Sequence, residues 1–169
     1  MPELPTWRML ITASRDWPDI GPIEHAIGLM AVEAAQLDRD LVVVHGNAPG
    51  GDTLARAVVR GRRAQGWTHI HEESHPAPWN DPCVPGRCPR SNHRRKRRDG
   101  SDFCPAVGLY RDEEMVASGI DFCFAFIMPC SKRGCLRPKP HGSHGASTTA
   151  EMAEKAGIST TRITHLEAA

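Results

Sequence analysis

Short apolar runs alternate with segments of helical period along this chain, and no other feature restricts its fold so strongly. Residues 7–13, 41–44 and 121–127 read as buried strands, with weaker strands at 69–72 and 160–164. Residues 20–37, 53–65, 110–118 and 146–156 read as helices, and Gly66, Gly119 and Gly157 supply stop signals. Fully apolar strands such as Leu41-Val42-Val43-Val44 belong to parallel sheets buried on both faces. The expected fold is therefore α/β, a Rossmann-like parallel sheet flanked by helices. One domain over 1–169 is expected, with Cys/His-rich inserts at about 77–105 and 128–140, where no period survives.

Two glycine-punctuated turns join strand to helix. The first runs His45-Gly46-Asn47-Ala48-Pro49-Gly50-Gly51-Asp52, and the second His141-Gly142-Ser143-His144-Gly145-Ala146. Bare N–H groups at a helix N-terminus favour an anion, usually a phosphate. Gly46, Gly50, Gly51, Gly142, Ser143 and Gly145 are accordingly candidate ligand-binding residues. Asp52 reads either as the helix N-cap or as an acceptor for a ribose hydroxyl. Ser14 and Arg15 follow the first strand, at the edge where open α/β sheets bind ligands, and Arg15 suits a phosphate. Arg111 is expected to open a helix, where it opposes the dipole unless an anion is shared; an ion pair with Glu113 or Glu114 is the rival reading.

The inserts carry a second kind of chemistry. Cys83, Cys88, His93 and Cys104 form one set of soft-to-borderline donors, and Cys130, Cys135, His141 and His144 form another. Tetrahedral zinc suits both sets and would hold down loops with no core of their own, so one or two structural zinc ions are expected. His141 and His144 also flank the second glycine turn, which leaves contact with the ligand as an alternative. The six cysteines accompany no export signal, so free thiols or metal ligands are expected in a cytoplasmic, soluble protein. No run approaches the roughly 20 apolar residues of a membrane span. Cys123, within a strand, reads as a buried hydrophobe.

Charge is concentrated in one place. Removing the five cations of Arg94-Arg95-Lys96-Arg97-Arg98 from the net charge of +1 leaves −4 elsewhere. A body-wide nucleic-acid footprint is not indicated, though this basic loop could close on a polyphosphate or grip nucleic acid. Phe103 and Tyr110 are the aromatic residues near it for stacking bases.

Four motifs, in order, resemble those of YspA-like proteins in the SLOG superfamily. Ile11-Thr12-Ala13-Ser14-Arg15-Asp16-Trp17 resembles the TGSR-x-W start, and residues 45–52 resemble HG-x-A-x-GAD. Arg111-Asp112-Glu113-Glu114-Met115-Val116 resembles RN-x-x-MV, and residues 142–145 resemble the GG-x-GT turn. Ala13 stands for the usual glycine, Gly51 for the usual alanine, Asp112 for the usual asparagine, and His144-Gly145-Ala146 for x-Gly-Thr. The resemblance implies a Rossmann-like protein binding a nucleotide or nucleotide-derived ligand. The superfamily also holds the DNA-processing DprA type and the LOG hydrolases, in which a glutamate four residues beyond the last glycine helps break an N-glycosidic bond. Here that position is Thr149, and the nearest acid is Glu151.

Three functions follow as expectations. The first is a sensor or sequestering protein for a nucleotide-derived small molecule. The second is an N-glycosidase or phosphoribohydrolase, with Asp52, Asp112, Glu113 and Glu114 as the available carboxylates. The third is a nucleic-acid binder using the basic loop. Catalytic residues are not assigned, and the oligomeric state stays open, a homo-oligomer included.

Overall fold

Along β1 (Thr6–Ala13) consecutive side chains enter two different cores, Met9 and Ile11 on one face and Leu10 on the other, all three fully buried. That is why Met9-Leu10-Ile11 is continuously apolar instead of alternating. The computed structural model describes residues 5–88 and 93–165. After β1 come α1 (Ile20–Gln36), β2 (Asp40–His45), α2 (Gly51–Ala64) and β3 (Ile70–Ser74). Then follow the two-residue strands β4 (Arg95–Lys96) and β5 (Asp102–Phe103), α3 (Val107–Ala117), β6 (Phe122–Ile127), α4 (His144–Lys155) and β7 (Ser159–Thr164).

The main sheet has the order β3-β2-β1-β6-β7 with every pair parallel. The chain builds outward from β1 through β2 to β3, then returns to β6 on the other edge of β1. Loops leaving the carboxyl ends of β1 and β6 therefore diverge and open a crevice, the place where such sheets take ligands. Ile23 and Ile27 of α1 and Val58 and Val59 of α2 cover the Met9–Ile11–Val43 face. Met115 of α3 and Ala153 of α4 cover Leu10, Val44 and Cys123. Burial of each large aliphatic chain contributes about 1.5–3 kcal/mol. Cys123 lies fully buried, and its burial pushes the thiol up to about 12.

Element boundaries differ from the sequence expectation at informative places. Asp19 caps α1 by accepting from the Gly21 N–H at 2.8 Å, while Trp17 Nε1 donates to the Asp19 carbonyl at 2.6 Å. This clamp fixes the turn that carries Ser14 and Arg15. Helix α2 begins at Gly51 with Gly50 as cap, so Asp52 lies inside the first turn and is not the N-cap. Helix α3 begins at Val107, so Arg111 is its fifth residue and does not open it. Within the first insert, β4 and β5 pair antiparallel as a small ribbon. Among the described residues, no helix is long and apolar enough to cross a membrane.

Candidate functional site

A cleft of about 610 Å³ opens at the crevice between β1 and β6. Of the ten sequence-nominated ligand residues, Ser14, Arg15, Asp52, Arg111, Ser143 and Gly145 line it. The four other glycines lie outside the lining, pressed against the chain itself. A Cβ on Gly46 would meet the Arg111 guanidinium, and one on Gly142 would meet Ile127 Cγ2 at 2.5 Å. Gly50, at φ +94°, backs onto the Arg15 carbonyl, where a Cβ would come within 2.3 Å. A Cβ on Gly51 would stand 2.1 Å from that of Ala13. These glycines press the first turn against β1 and α3, and the second against β6 and α4.

The two helix N-termini facing this region differ. At α2, the Asp52 carboxylate accepts from the Ala48 N–H at 3.2 Å and also bonds the Gly46 backbone, so the turn supplies its own acid. At α4, Ser143 makes no side-chain cap bond, and its hydroxyl is instead hydrogen-bonded to that of Ser14. Ser14 Oγ also accepts from the Met128 N–H at 2.9 Å, tying the loops after β1 and β6. The first turn of α4 thus opens on the cleft without a side-chain acid of its own. Arg15 is exposed at the rim and, among the described residues, makes no ion pair. Lys132, a residue the sequence did not single out, lies in the same lining.

Arg111 is engaged by the protein. Its Nη1 donates to the carbonyls of Gly46 and of His75, the latter at 3.1 Å, and its Nε donates to Asp112 Oδ1 at 2.7 Å. The rival reading, an ion pair with Glu113 or Glu114, gives way to a pair with Asp112, while Glu113 pairs with Arg87. His45, outside the cleft lining, is fully buried behind this turn. Its Nδ1 accepts from the Asn47 N–H at 3.1 Å, placing the ring proton on Nε2, 3.3 Å from Glu72 Oε1. Burial holds its pKa below the ordinary histidine value.

Two carboxyls in the lining are hard to ionise. Burial pushes Asp52 up to about 6 from 3.8, against the opposing Ala48 hydrogen bond and the Arg111 charge. Burial likewise raises Asp112, against the pull of the Arg111 charge and its hydrogen bond. For Asp52 the folded pKa exceeds the unfolded one, so its stabilisation is complete below 3.8 and is lost as pH rises through about 6. The linkage relation sets that loss at about 3 kcal/mol. Asp52→Asn should match the parent in urea unfolding near pH 4 and exceed it at pH 7. Equal destabilisation at both pH values would contradict this assignment.

The inserts bring each Cys/His set together. The donor atoms of Cys83, Cys88, His93 and Cys104 all lie within 4.8 Å of one another, as do those of Cys130, Cys135, His141 and His144. Both sets could hold a metal ion, and all six cysteines are free thiols. A tight turn places the first pair, with the Cys88 N–H donating to the Val84 carbonyl at 3.0 Å. The ribbon β4–β5 carries the chain from His93 to Cys104. In the second set, the Cys130 N–H donates to the His141 carbonyl at 2.8 Å and closes the loop. His141 Nδ1 donates to the Pro138 carbonyl at 2.9 Å, which leaves Nε2 free to ligate. Cys130 and His144 also line the cleft, so this set forms part of its wall.

The basic loop is partly consumed by its own fold. Arg94 pairs with Asp102 at 2.8 Å and reaches the Asp81 carbonyl, and Arg97 lies over the Phe103 ring and bonds Asn80. Arg87 covers Tyr110 at 4.0 Å. Both aromatic faces nominated for base stacking are thus covered by arginines of this chain.

Fold and site together define a doubly wound α/β protein with a switch-point cleft walled by metal-competent Cys/His loops. No family model matches the chain. It is 33% identical over 132 residues to the Gene 61 protein of Mycobacterium phage D29, covering 77% of this chain and 86% of the phage protein. The chain belongs to the family of that phage protein.

Proposed function

We propose that this protein binds a nucleotide or nucleotide-derived phosphorylated ligand in the switch-point cleft, with a structural zinc ion in each Cys/His set. The observation that carries the reading is the contrast between the helix ends. Asp52 occupies the turn at α2, whereas the first turn of α4 lines the cleft with Arg15, which makes no ion pair among the described residues. Bare amides, the positive end of a helix dipole and a guanidinium suit a phosphate. The cleft volume falls in the range of small-ligand sites.

Zinc fits the donor chemistry and spacing. Tetrahedral bonds of about 2.3 Å to sulfur and 2.0–2.1 Å to nitrogen put donor atoms roughly 3.3–3.8 Å apart. Cys88 and Cys104 are separated by 3.6 Å, His141 and His144 by 3.3 Å, and Cys135 lies 3.5 and 3.3 Å from those two histidines. Cys104 stands 3.3 Å from His93, and Cys83 at 3.0 Å makes the shortest edge.

We also place the chain in the SLOG superfamily, near the YspA-like branch. Two of its departures from that pattern support this placement, because they meet in space. Ala13 and Gly51 face each other, so the methyl usually borne by residue 51 stands on residue 13 instead.

Arg15→Ala should weaken adenosine 5′-monophosphate binding by tenfold or more, as loss of a charge-assisted contact predicts. Thermal unfolding should stay unchanged, since Arg15 is exposed. Undiminished affinity in calorimetry would remove Arg15 from the site.

One observation favours an enzyme as the second reading. Asp112, a carboxylate in place of the usual asparagine, lines the cleft near Thr149, the position where the LOG hydrolases carry their glutamate. An N-glycosidase would release free base from a nucleoside monophosphate and lose that activity in Asp112→Asn. A binding protein returns the nucleotide intact.

A further inference from the structure

Trp79 lies in the first insert, in a stretch of proline and polar residues without period, and it lines the cleft. Its ring is seated on the first turn of α3. A Cβ on Gly108 would come within 2.7 Å of the indole, so the absence of a side chain there is what admits the ring. Phe103 meets it edge-on, with centroids 6.2 Å apart and planes at 77°. Its backbone is fixed as well, because the Trp79 carbonyl accepts from the Cys104 N–H at 3.1 Å. Cys104 is the buried member of the first donor set. Gly108, Leu109 and Met115 continue this apolar side of the lining, while Ser14, Arg15 and Ser143 supply polar groups to it.

A cleft with a half-buried indole in one wall and a phosphate-suited helix end in another fits a ligand that is flat and apolar in one part and anionic in another. We propose that Trp79 is the platform on which the ligand's nucleobase stacks, held in place by the first Cys/His loop. The inference rests on the nucleotide reading above and assigns its base recognition. Stacking on an aromatic ring tolerates any base, because every base has a π-face. Trp79 therefore supplies affinity for the base, and Arg15 with α4 supplies affinity for the phosphate.

The test compares two probes on zinc-loaded protein by calorimetry: adenosine 5′-monophosphate, and ribose 5-phosphate, which keeps the sugar and phosphate but lacks the base. The parent should bind the nucleotide ten- to a hundredfold more tightly, the range expected of one stacking contact. Trp79→Ala should erase that margin and leave ribose 5-phosphate affinity and zinc content unchanged. Trp79→Phe should keep most of the margin. Gly108→Ala, which retains the indole but pushes it off its seat, should lose part of it. Unchanged nucleotide affinity in Trp79→Ala, or equal weakening of both probes, overturns the platform. Equal binding of the two probes by the parent does the same. A parent that binds neither probe overturns the nucleotide reading itself, and the platform with it.

Discussion

Cys88→Ser should carry one zinc equivalent fewer than the parent and lose the order of the first insert while keeping the sheet. Between residues 77 and 105, Cys104 is the only buried residue among those described. The insert therefore has almost no apolar burial to offset the conformational entropy of ordering it, about 1–2 kcal/mol per residue for the backbone alone. The ribbon β4–β5 adds two paired residues on each side and does not close that gap. Structural zinc contributes on the order of 10 kcal/mol or more in small zinc domains, enough to decide whether such a loop is ordered. Serine removes a thiolate of the set and leaves three donors. Elemental analysis should show the loss of one metal. Trypsin, given the exposed Arg95, Lys96 and Arg98, should cut this segment roughly tenfold faster or more. Circular dichroism should remain that of the parent, because the cores formed by β1, β2, β6 and their helices contain no residue of the loop. Unchanged metal content together with parental tryptic cleavage would refute the first site.

The second large effect concerns packing behind the cleft. Gly51→Ala places a methyl within 2.1 Å of the Ala13 Cβ, at a contact between the start of α2 and the end of β1. Neither atom can swing away, since both are fixed to backbone. Overpacking of this kind costs about 1–3 kcal/mol, and here it also displaces the turn that carries Asp52. Ala13→Gly alone should cost less, on the order of 1 kcal/mol, through strand entropy and a small void. The double variant restores a single methyl at the contact. It should recover most of the Gly51→Ala loss, giving a coupling energy of about 1–2 kcal/mol in a double-mutant cycle of urea unfolding. Additive losses would mean that the two positions do not share the space.

The sheet was legible in the sequence because its strands are buried on both faces, so Leu41, Val43 and Val44 had to be apolar together. Both donor sets were legible because thiols and imidazoles are scarce and were clustered within the inserts. What escaped notice depends on contacts between distant segments. The start of α3 was missed because Gly108 looks like a breaker, and only the indole of Trp79 lying on it explains a glycine there. Trp79 itself carried no periodic signal. A tryptophan in an otherwise polar, proline-flanked loop was the available hint. Asp52 stands where a cap is expected by spacing, yet Gly50 at φ +94° takes that position and sends the carboxylate back onto the Ala48 amide. Arg111 lines the cleft, but local sequence does not show that the carbonyls of Gly46 and His75, from elsewhere in the chain, also engage it. The charge of the 94–98 run was visible, but not that Asp102 and Asn80 would engage two of its arginines.

The most direct test of a phosphate-directed cleft is a titration of zinc-loaded, isotope-labelled protein with adenosine 5′-monophosphate, followed through backbone amide resonances. At 18.6 kDa the protein is small enough for such spectra. Saturable shifts are expected, largest at Arg15, Asp16, His144, Gly145 and Ala146, with little change at Gly46 and Ala48, whose amides serve Asp52. Shifts confined to Arg95, Lys96 and Arg98, or no saturable shift at any amide of the cleft, would contradict a phosphate-directed cleft.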